Sequence, residues 1–404
     1  MRRPSGHRIG YFEFTQGPAI GLVGGTVNLE GLNHPQALSF QTKHHRHLIP
    51  ILNWGRAIAT LLEYQGGSRK GPIDILGMEG VHVNAHDLIA DILEKKGSID
   101  SVFWVACGGS LIDLLPAHAL AQREGTTFSS DAYTAREFDI MRPKRLGERS
   151  LVVACSHSGN TPEVIRSCKI AHEAGAAVVT FTNQEGSGID LDLWTSWVYP
   201  WSDDVSQLKV PAGITLLLAG ELLDQQEGYA DLNDLYEGVA VMDQVLPAAR
   251  IKVNEELGER FAALCQEHPF LYILGSGPNF SQAYGFAICS LQEMQWQDCA
   301  YIHSGEYFHG PFECTEPGVF YFLQMGSSEC RAMDERALAF LKTHTDTLMV
   351  LDAIEYGMDR VPEGVRAYLD PILFYAMNVE LRAARGKVFD HDPSVRRYMG
   401  IEKY

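Results

Sequence analysis

No two of the chain's cysteines stand in Cys-x-x-Cys spacing: its eight, at positions 107, 155, 168, 265, 289, 299, 314 and 330, are scattered. Neither a zinc ribbon nor a disulfide framework is built that way, and with no recognisable secretory signal they read as reduced, buried thiols of a cytoplasmic protein. Long hydrophobic runs are also missing. The nearest, Leu48 to Leu62, is interrupted by Pro50, Asn53 and Arg56 and is about fifteen residues long, too short to span a bilayer. Positive charge is scarce: 33 Lys and Arg stand against 51 Asp and Glu, a formal charge of −18, whereas nucleic acid is bound through clustered Lys and Arg. No Gly-x-Gly-x-x-Gly follows an apolar strand and no loop carries Gly-Lys-Ser/Thr, which sets aside the dinucleotide and P-loop classes. Membrane, nucleic acid and metal are therefore not expected as partners, and a phosphate has to be held locally.

Two loops offer to hold one. In Leu151 to Glu163, LVVACSHSGNTPE, a short apolar run of the kind parallel sheets use breaks into Ser156, His157, Ser158 and Gly159. Thr161 then stands as N-cap, with Pro162 at the first helical position. Hydroxyls and a glycine at a positively polarised helix terminus form a cradle for an anion, with Gly159 expected to let the backbone approach it. Upstream, SVFWVA (101–106) ends in Cys107, Gly108, Gly109 and Ser110 before the helical stretch 111–123. Two such loops on neighbouring parallel strands can converge on one anion at the carboxyl edge of the sheet, and without nucleotide motifs that anion is expected to be a sugar phosphate.

From about residue 80 the pattern alternates strand and helix, the sign of a doubly wound α/β fold. Strands are expected at 101–106, 149–155, 176–182 and 195–199, with helices at 82–95, 111–123, 161–174 and 211–226. Residues 231–265 read as helical with a break at Pro247. A second series follows: strands 270–275, 298–303, 317–324 and 346–352, with helices 280–295, 331–343 and 370–385. The repeated order marks a weak internal duplication. The expected domains are a phosphate-binding unit over 78–245 and a catalytic unit over 246–404. Residues 1–77 carry eight Lys and Arg against four Asp and Glu, while the remainder carries 25 against 47. This basic head includes His44-His45-Arg46-His47, lacks sustained periodicity and reads as a poorly ordered extension. Met78 opens an amphipathic stretch with the look of a natural first helix, which leaves open a second reading of the head as upstream sequence absent from the working protein.

Ionisable residues concentrate in Leu291 to Glu313. Glu293, near a helix end, shares an α-helical face with Phe286 and Cys289, so its carboxyl is expected to be partly desolvated, the condition that makes a carboxylate a better base. Sixteen residues later His309 sits before Gly310-Pro311, at a strand-to-loop junction where it can meet a substrate. Glu306 could orient it or stand as a surface charge, and His303 reads as structural.

These segments resemble the sugar isomerase (SIS) family of the double-domain type over roughly residues 80–404, which implies two doubly wound parallel-sheet domains in tandem. Cys107-Gly108-Gly109-Ser110 and Ser156-His157-Ser158-Gly159-Asn160-Thr161 are similar to the family's phosphate loops. Glu293 and the run Gly305 to Pro311 are similar to the isomerase domain of glucosamine-6-phosphate synthase. The resemblance implies a homodimer in which Glu293 moves a proton between C1 and C2 while His309, offered by the neighbouring subunit, assists ring opening. Two departures exclude the synthase: the head is too short for its glutaminase domain, and Gly400 stands near the place of its tail lysine, with Lys403 close by but poorly aligned. The tail Asp392-Pro393 to Arg396-Arg397-Tyr398 looks instead like that of the fructosamine 6-phosphate deglycases, which split phosphorylated Amadori products. The resemblance implies a reaction needing no cofactor, with Gly109, Ser110, Ser156, His157, Ser158 and Thr161 binding phosphate or substrate. A sugar-phosphate isomerase and a non-catalytic sugar-phosphate sensor are the alternatives. The attached amine stays open, with Arg331, Arg336 and Arg396 as candidates to meet a carboxylate.

Overall fold

A computed structural model of the chain describes residues 84–202 and 204–403, together with the backbone of two short antiparallel strands, β1 (Ser39–Thr42) and β2 (His45–Leu48). The rest of the basic head, and with it the reading of residues 1–77 as a poorly ordered extension, lies outside the described residues.

Five strands form the first sheet: β3 (Ser101–Ala106), β4 (Ser129–Thr134), β5 (Ser150–Cys155), β6 (Ala177–Thr182) and β7 (Thr195–Val198), all parallel, in the order β4-β3-β5-β6-β7. Four form the second: β8 (Phe270–Gly275), β9 (Asp298–His303), β10 (Phe320–Met325) and β11 (Leu348–Asp352), again parallel, in the order β11-β10-β8-β9. Counted from its own first strand, each sheet runs 2-1-3-4, and the first adds a fifth. The internal duplication is thus a duplicated topology, the doubly wound order in which chain direction reverses between the first and third strands.

β3, β5 and β10 are buried along their whole length, because helices cover both faces of each sheet. One continuous core lies between the sheets. It is filled by α1 (Ala85–Lys96), α2 (Gly109–Glu124), α5 (Pro211–Glu227), α6 (Leu232–Val253) and α10 (Glu363–Val388). Smaller cores close the outer faces under α4 (Pro162–Glu173) and α9 (Arg331–His344).

Three sequence expectations change. The strand β4, SSDAYT, went unread because it alternates poorly and forms at an edge, by pairing with β3. Its following helix α3 (Ala135–Met141) went unread with it. Pro247 does not break α6: the carbonyl it frees belongs to exposed Asp243 and faces water. The irregularity comes later, as a π-helical turn at Asn254–Gly258 before α7 (Glu259–Glu267).

Candidate active site

The two hydroxyl-rich loops leave β3 and β5, the neighbours between which the first sheet reverses direction. Their helices, α2 and α4, depart to opposite faces, and the crevice left between them is where open α/β sheets take ligands. Gly108 turns the first loop at φ 55, a conformation that favours glycine, and Gly109 is exposed with open space where a side chain would stand. The loops touch directly: the His157 N–H donates to Ser110 Oγ at 3.3 Å. Buried Ser156 shares a hydrogen bond of 2.9 Å with Thr161 Oγ1, so the Thr161 hydroxyl does not cap α4 although the residue stands at the N-cap. Ser158 is exposed and accepts from the Asn160 N–H. His157 packs its ring edge on Trp201 at 5.2 Å and meets Tyr199 Oη at 3.0 Å, and desolvation lowers its pKa.

Gly159 differs from expectation in its reason. At φ 65 it packs against Ser187 and Thr182, so close that a Cβ would overlap Ser187. It seats the loop on the protein instead of opening the backbone to a ligand.

Glu293 closes α8, which spans residues 280–295 as an α-helical start (Phe280–Gly285), a π-helical stretch (Phe286–Gln292) and a last turn (Glu293–Gln295). The π stretch shifts side chains off the α-helical register used to place Glu293 with Phe286, and such stretches cluster at functional sites. Phe286 is in the core, while Glu293 remains about a quarter exposed, at 23%. Cys289 stays near it: burial, and then the charges of Glu293 and Asp113, push the Cys289 thiol up to about 12. A Cβ at Gly108 would stand 3.8 Å from Cys289 Sγ, which brings the loop after β3 against the helix that carries Glu293.

Glu293 has a partner. Glu293 Oε1 accepts from both Nε and Nη2 of Arg396, at 3.1 and 2.9 Å. The tail that delivers Arg396 is held by Trp296, whose ring lies 4.0 Å under the Arg397 guanidinium and 4.5 Å from His391. Arg396 is therefore the tail residue that reaches this site. Lys403 is exposed. Of the other candidate arginines, Arg331 pairs with Asp352 and Glu335, and Arg336 stacks over Phe308 at 4.1 Å.

A cavity of about 1090 Å³ lies alongside, lined by neither Glu293 nor a residue of the two loops. Its lining includes Asp113 of α2, Trp201, whose ring meets His157, and Arg382, which donates to Ser290 and Met294 on either side of Glu293 in the sequence. Asp113, three residues beyond Ser110, is pushed up to about 7 by desolvation. Its i, i+3 relation to Ser110 is the signal in the sequence that points to it. Arg382 gave no comparable signal.

His309 is exposed at the end of a short 3-10 turn, Tyr307–His309, beyond the carboxyl end of β9. Glu293 precedes the amino end of the same strand, and six residues of strand separate the two ends by roughly 17 Å. The chain therefore does not bring Glu293 and His309 together. Glu306 is exposed and meets His309 through the backbone, the His309 N–H donating to Glu306 O. His303 accepts from the Gly305 N–H and packs on Phe280, a structural setting.

The corresponding crevice of the second sheet is differently furnished. Fully buried Asp334 stands among Ser276, Ser304 and the Gly326 backbone, and burial pushes its carboxyl up to about 6. An acidic group there disfavours phosphate, so the two halves are not equivalent. Among the described residues no group of three or more His, Cys, Asp or Glu could hold a metal ion, and no helix is long and apolar enough to cross a membrane.

No family model matches the chain. Fructosamine deglycase FrlB of Bacillus subtilis is 34% identical over 313 residues, covering 77% of this chain and 94% of that protein. Fructoselysine 6-phosphate deglycase of Escherichia coli K12 is 29% identical over 340 residues, covering 82% and 97%. A crystal structure from Salmonella typhimurium LT2, provisionally described as a phosphosugar isomerase, superposes with a TM-score of 0.77 at 34% identity, covering 83% of this chain and all of that one.

Proposed function

We propose a reaction from one premise: this chain belongs to the fructosamine deglycase family, double-domain sugar isomerase proteins with two parallel-sheet units. It hydrolyses a 6-phosphorylated fructosyl amino acid to glucose 6-phosphate and the free amino acid.

The phosphate is taken by residues 78–245, where Ser110, Ser156, Ser158 and Thr161 supply hydroxyls, Gly109 leaves room, and His157 lends its backbone N–H. Residues 246–404 supply the chemistry. Glu293 removes a proton from C1 of the 1-amino-2-ketose as O2 takes up a proton to give the enaminol, and the proton returns at C2 while the nitrogen gives up its N–H proton. The product is an imine at C1. Water adds across C=N and the amine leaves with the proton. The phosphate end of the substrate contributes binding energy remote from C1, which positions the reacting carbons. His309 assists ring opening from a partner subunit, so the working protein is a cytoplasmic homodimer. The observation that carries this reading is the junction of the first phosphate loop with the Glu293 helix, where Gly108 meets Cys289. The span of β9 between Glu293 and His309 supports a shared site.

The test is release of glucose 6-phosphate from a panel of 6-phosphofructosamines, with fructose 6-phosphate included. Release from a ketosamine, abolished by Glu293→Gln with binding kept, is expected. Turnover of fructose 6-phosphate alone would make the protein an isomerase. Mixing Glu293→Gln with His309→Asn subunits should restore about a quarter of wild-type activity, since half the dimers are mixed and each carries one intact site. No recovery would refute the shared site.

A further inference from the structure

Arg382 is the side chain at this site that folding does not account for. It projects from α10 onto the cavity wall. Its Nη1 donates to Ser290 Oγ at 3.3 Å and to the Met294 sulfur at 3.0 Å, neither of which carries a compensating charge. Its Nε–H is buried without a partner, and no ion pair engages it among the described residues.

Neighbouring arginines are served differently. Arg396 is held by Glu293, and Arg250 by Glu380 at 2.7 Å. Arg385, three residues on, receives amide oxygens from Gln295 and Gln297 at 3.0 and 2.8 Å. Burial outweighs the nearby Tyr375, Glu293 and Glu380 and lowers the Arg382 pKa, and because those two carboxylates are already paired with Arg396 and Arg250, the desolvated cation has no ion-pair partner of its own among the described residues, which is unfavourable for folding. Such a group is expected where a ligand brings the missing charge.

The place of that charge along the substrate follows from the contacts. Ser290 and Met294 stand three residues before and one after Glu293, so an anion on Arg382 lies beside the atoms on which Glu293 acts. The sugar's own phosphate is at the other end of the hexose. An anion next to C1 must come from beyond the C–N bond, on the amine. The cavity has room for it: pockets for drug-sized ligands occupy roughly 300–1,000 Å³, and this one reaches about 1090 Å³.

We infer that Arg382 is a specificity anchor for a carboxylate on the amine portion, and that the substrates are 6-phosphofructosyl amino acids joined through the α-nitrogen. This rests on the deglycase reading. An α-linked amino acid holds its carboxylate two bonds from the nitrogen, within reach of a guanidinium flanking the base. A lysine joined through its ε-nitrogen carries it several carbons further away.

The experiment compares 6-phosphofructosyl-glycine with 6-phosphofructosyl-methylamine, which differ by the carboxylate, and adds lysine joined through its ε-nitrogen. The wild-type chain should favour the glycine compound by about 10- to 100-fold in kcat/KM, the range of a hydrogen bond to a charged group. The difference should lie mainly in KM. Arg382→Gln should erase that preference and Arg382→Lys retain part of it. Equal treatment of glycine and methylamine by the wild type overturns the inference, as does an Arg382→Gln loss that is the same for both. The ε-linked lysine serving as well as glycine overturns the α-linkage. The deglycase reading fails separately, if none of the three releases glucose 6-phosphate. In that event the affinity ratio of the glycine and methylamine compounds, measured by calorimetry on the intact chain, still decides for Arg382, and equal affinities refute it.

Discussion

Gly159→Ala tests whether the loop after β5 is seated as described. The added Cβ would overlap Ser187 Oγ and Cβ and stand 2.7 Å from Thr182 Oγ1. A hydroxyl can rotate away, but the Ser187 Cβ is fixed to its backbone, so the loop must move. Holding alanine at φ 65 costs about 1–2 kcal/mol, and overpacking a well-filled contact about 1–3 kcal/mol more. At about 2–4 °C per kcal/mol for a domain of this size, the melting temperature should fall by at least about 4 °C. Hydrogen bonds tie this loop to its support: Asn183 N to His157 O, Ile189 N to Gly159 O and Gly188 N to Asn160 Oδ1. A displacement therefore carries Ser158 and His157 with it and should raise KM for the phosphorylated substrate. Calorimetric melting with Ser187→Gly and the double variant completes the measurement. Ser187→Gly should restore the steric part and leave the backbone part, a coupling of about 1–3 kcal/mol. An unchanged melting temperature in Gly159→Ala, or zero coupling, would refute the packing argument.

Asp370 governs a pH effect on stability. Fully buried, with its carboxyl pushed up to about 7 by desolvation, it keeps a proton in the folded chain that the unfolded chain releases near the ordinary value of 3.8. Its contribution to stability thus falls as pH rises from about 4 to 7, by at most about 4 kcal/mol, and stays low above that. Asp370→Asn should gain stability relative to wild type at pH 8 and not at pH 4, in paired denaturation curves; a pH-independent difference would show that the buried carboxyl does not titrate this way. Among the thiols, Cys289 should resist iodoacetamide at pH 7.5 because its pKa is held near 12, while exposed Cys314 is labelled first, as read by peptide mass. Prior labelling of Cys289 would mean that the wall between Gly108 and Glu293 is open.

Much of this protein was legible before its coordinates. The runs that became β3, β5, β6 and β8 are continuous apolar segments between turn residues, and a strand buried on both faces needs little else to be recognised. Loops after β3 and β5 announced themselves because hydroxyls, glycine and a Pro at the first helical position are local signals. By contrast β4 has one polar-to-apolar alternation too few, and is a strand only because β3 offers it an edge. The π stretch before Glu293 has no pattern of its own in the sequence.

The sequence by itself determined most of the elements and the chemistry available to them, since capping, periodicity and buried runs depend on residues within a few positions of one another. Tertiary structure alone decided which groups meet. Glu293 finds Arg396 across 103 positions, and the cavity gathers Asp113, Trp201 and Arg382 from three distant segments. It also decided that Glu293 and His309, only sixteen positions apart, stand at opposite ends of β9, because an extended strand converts a short sequence separation into a long distance.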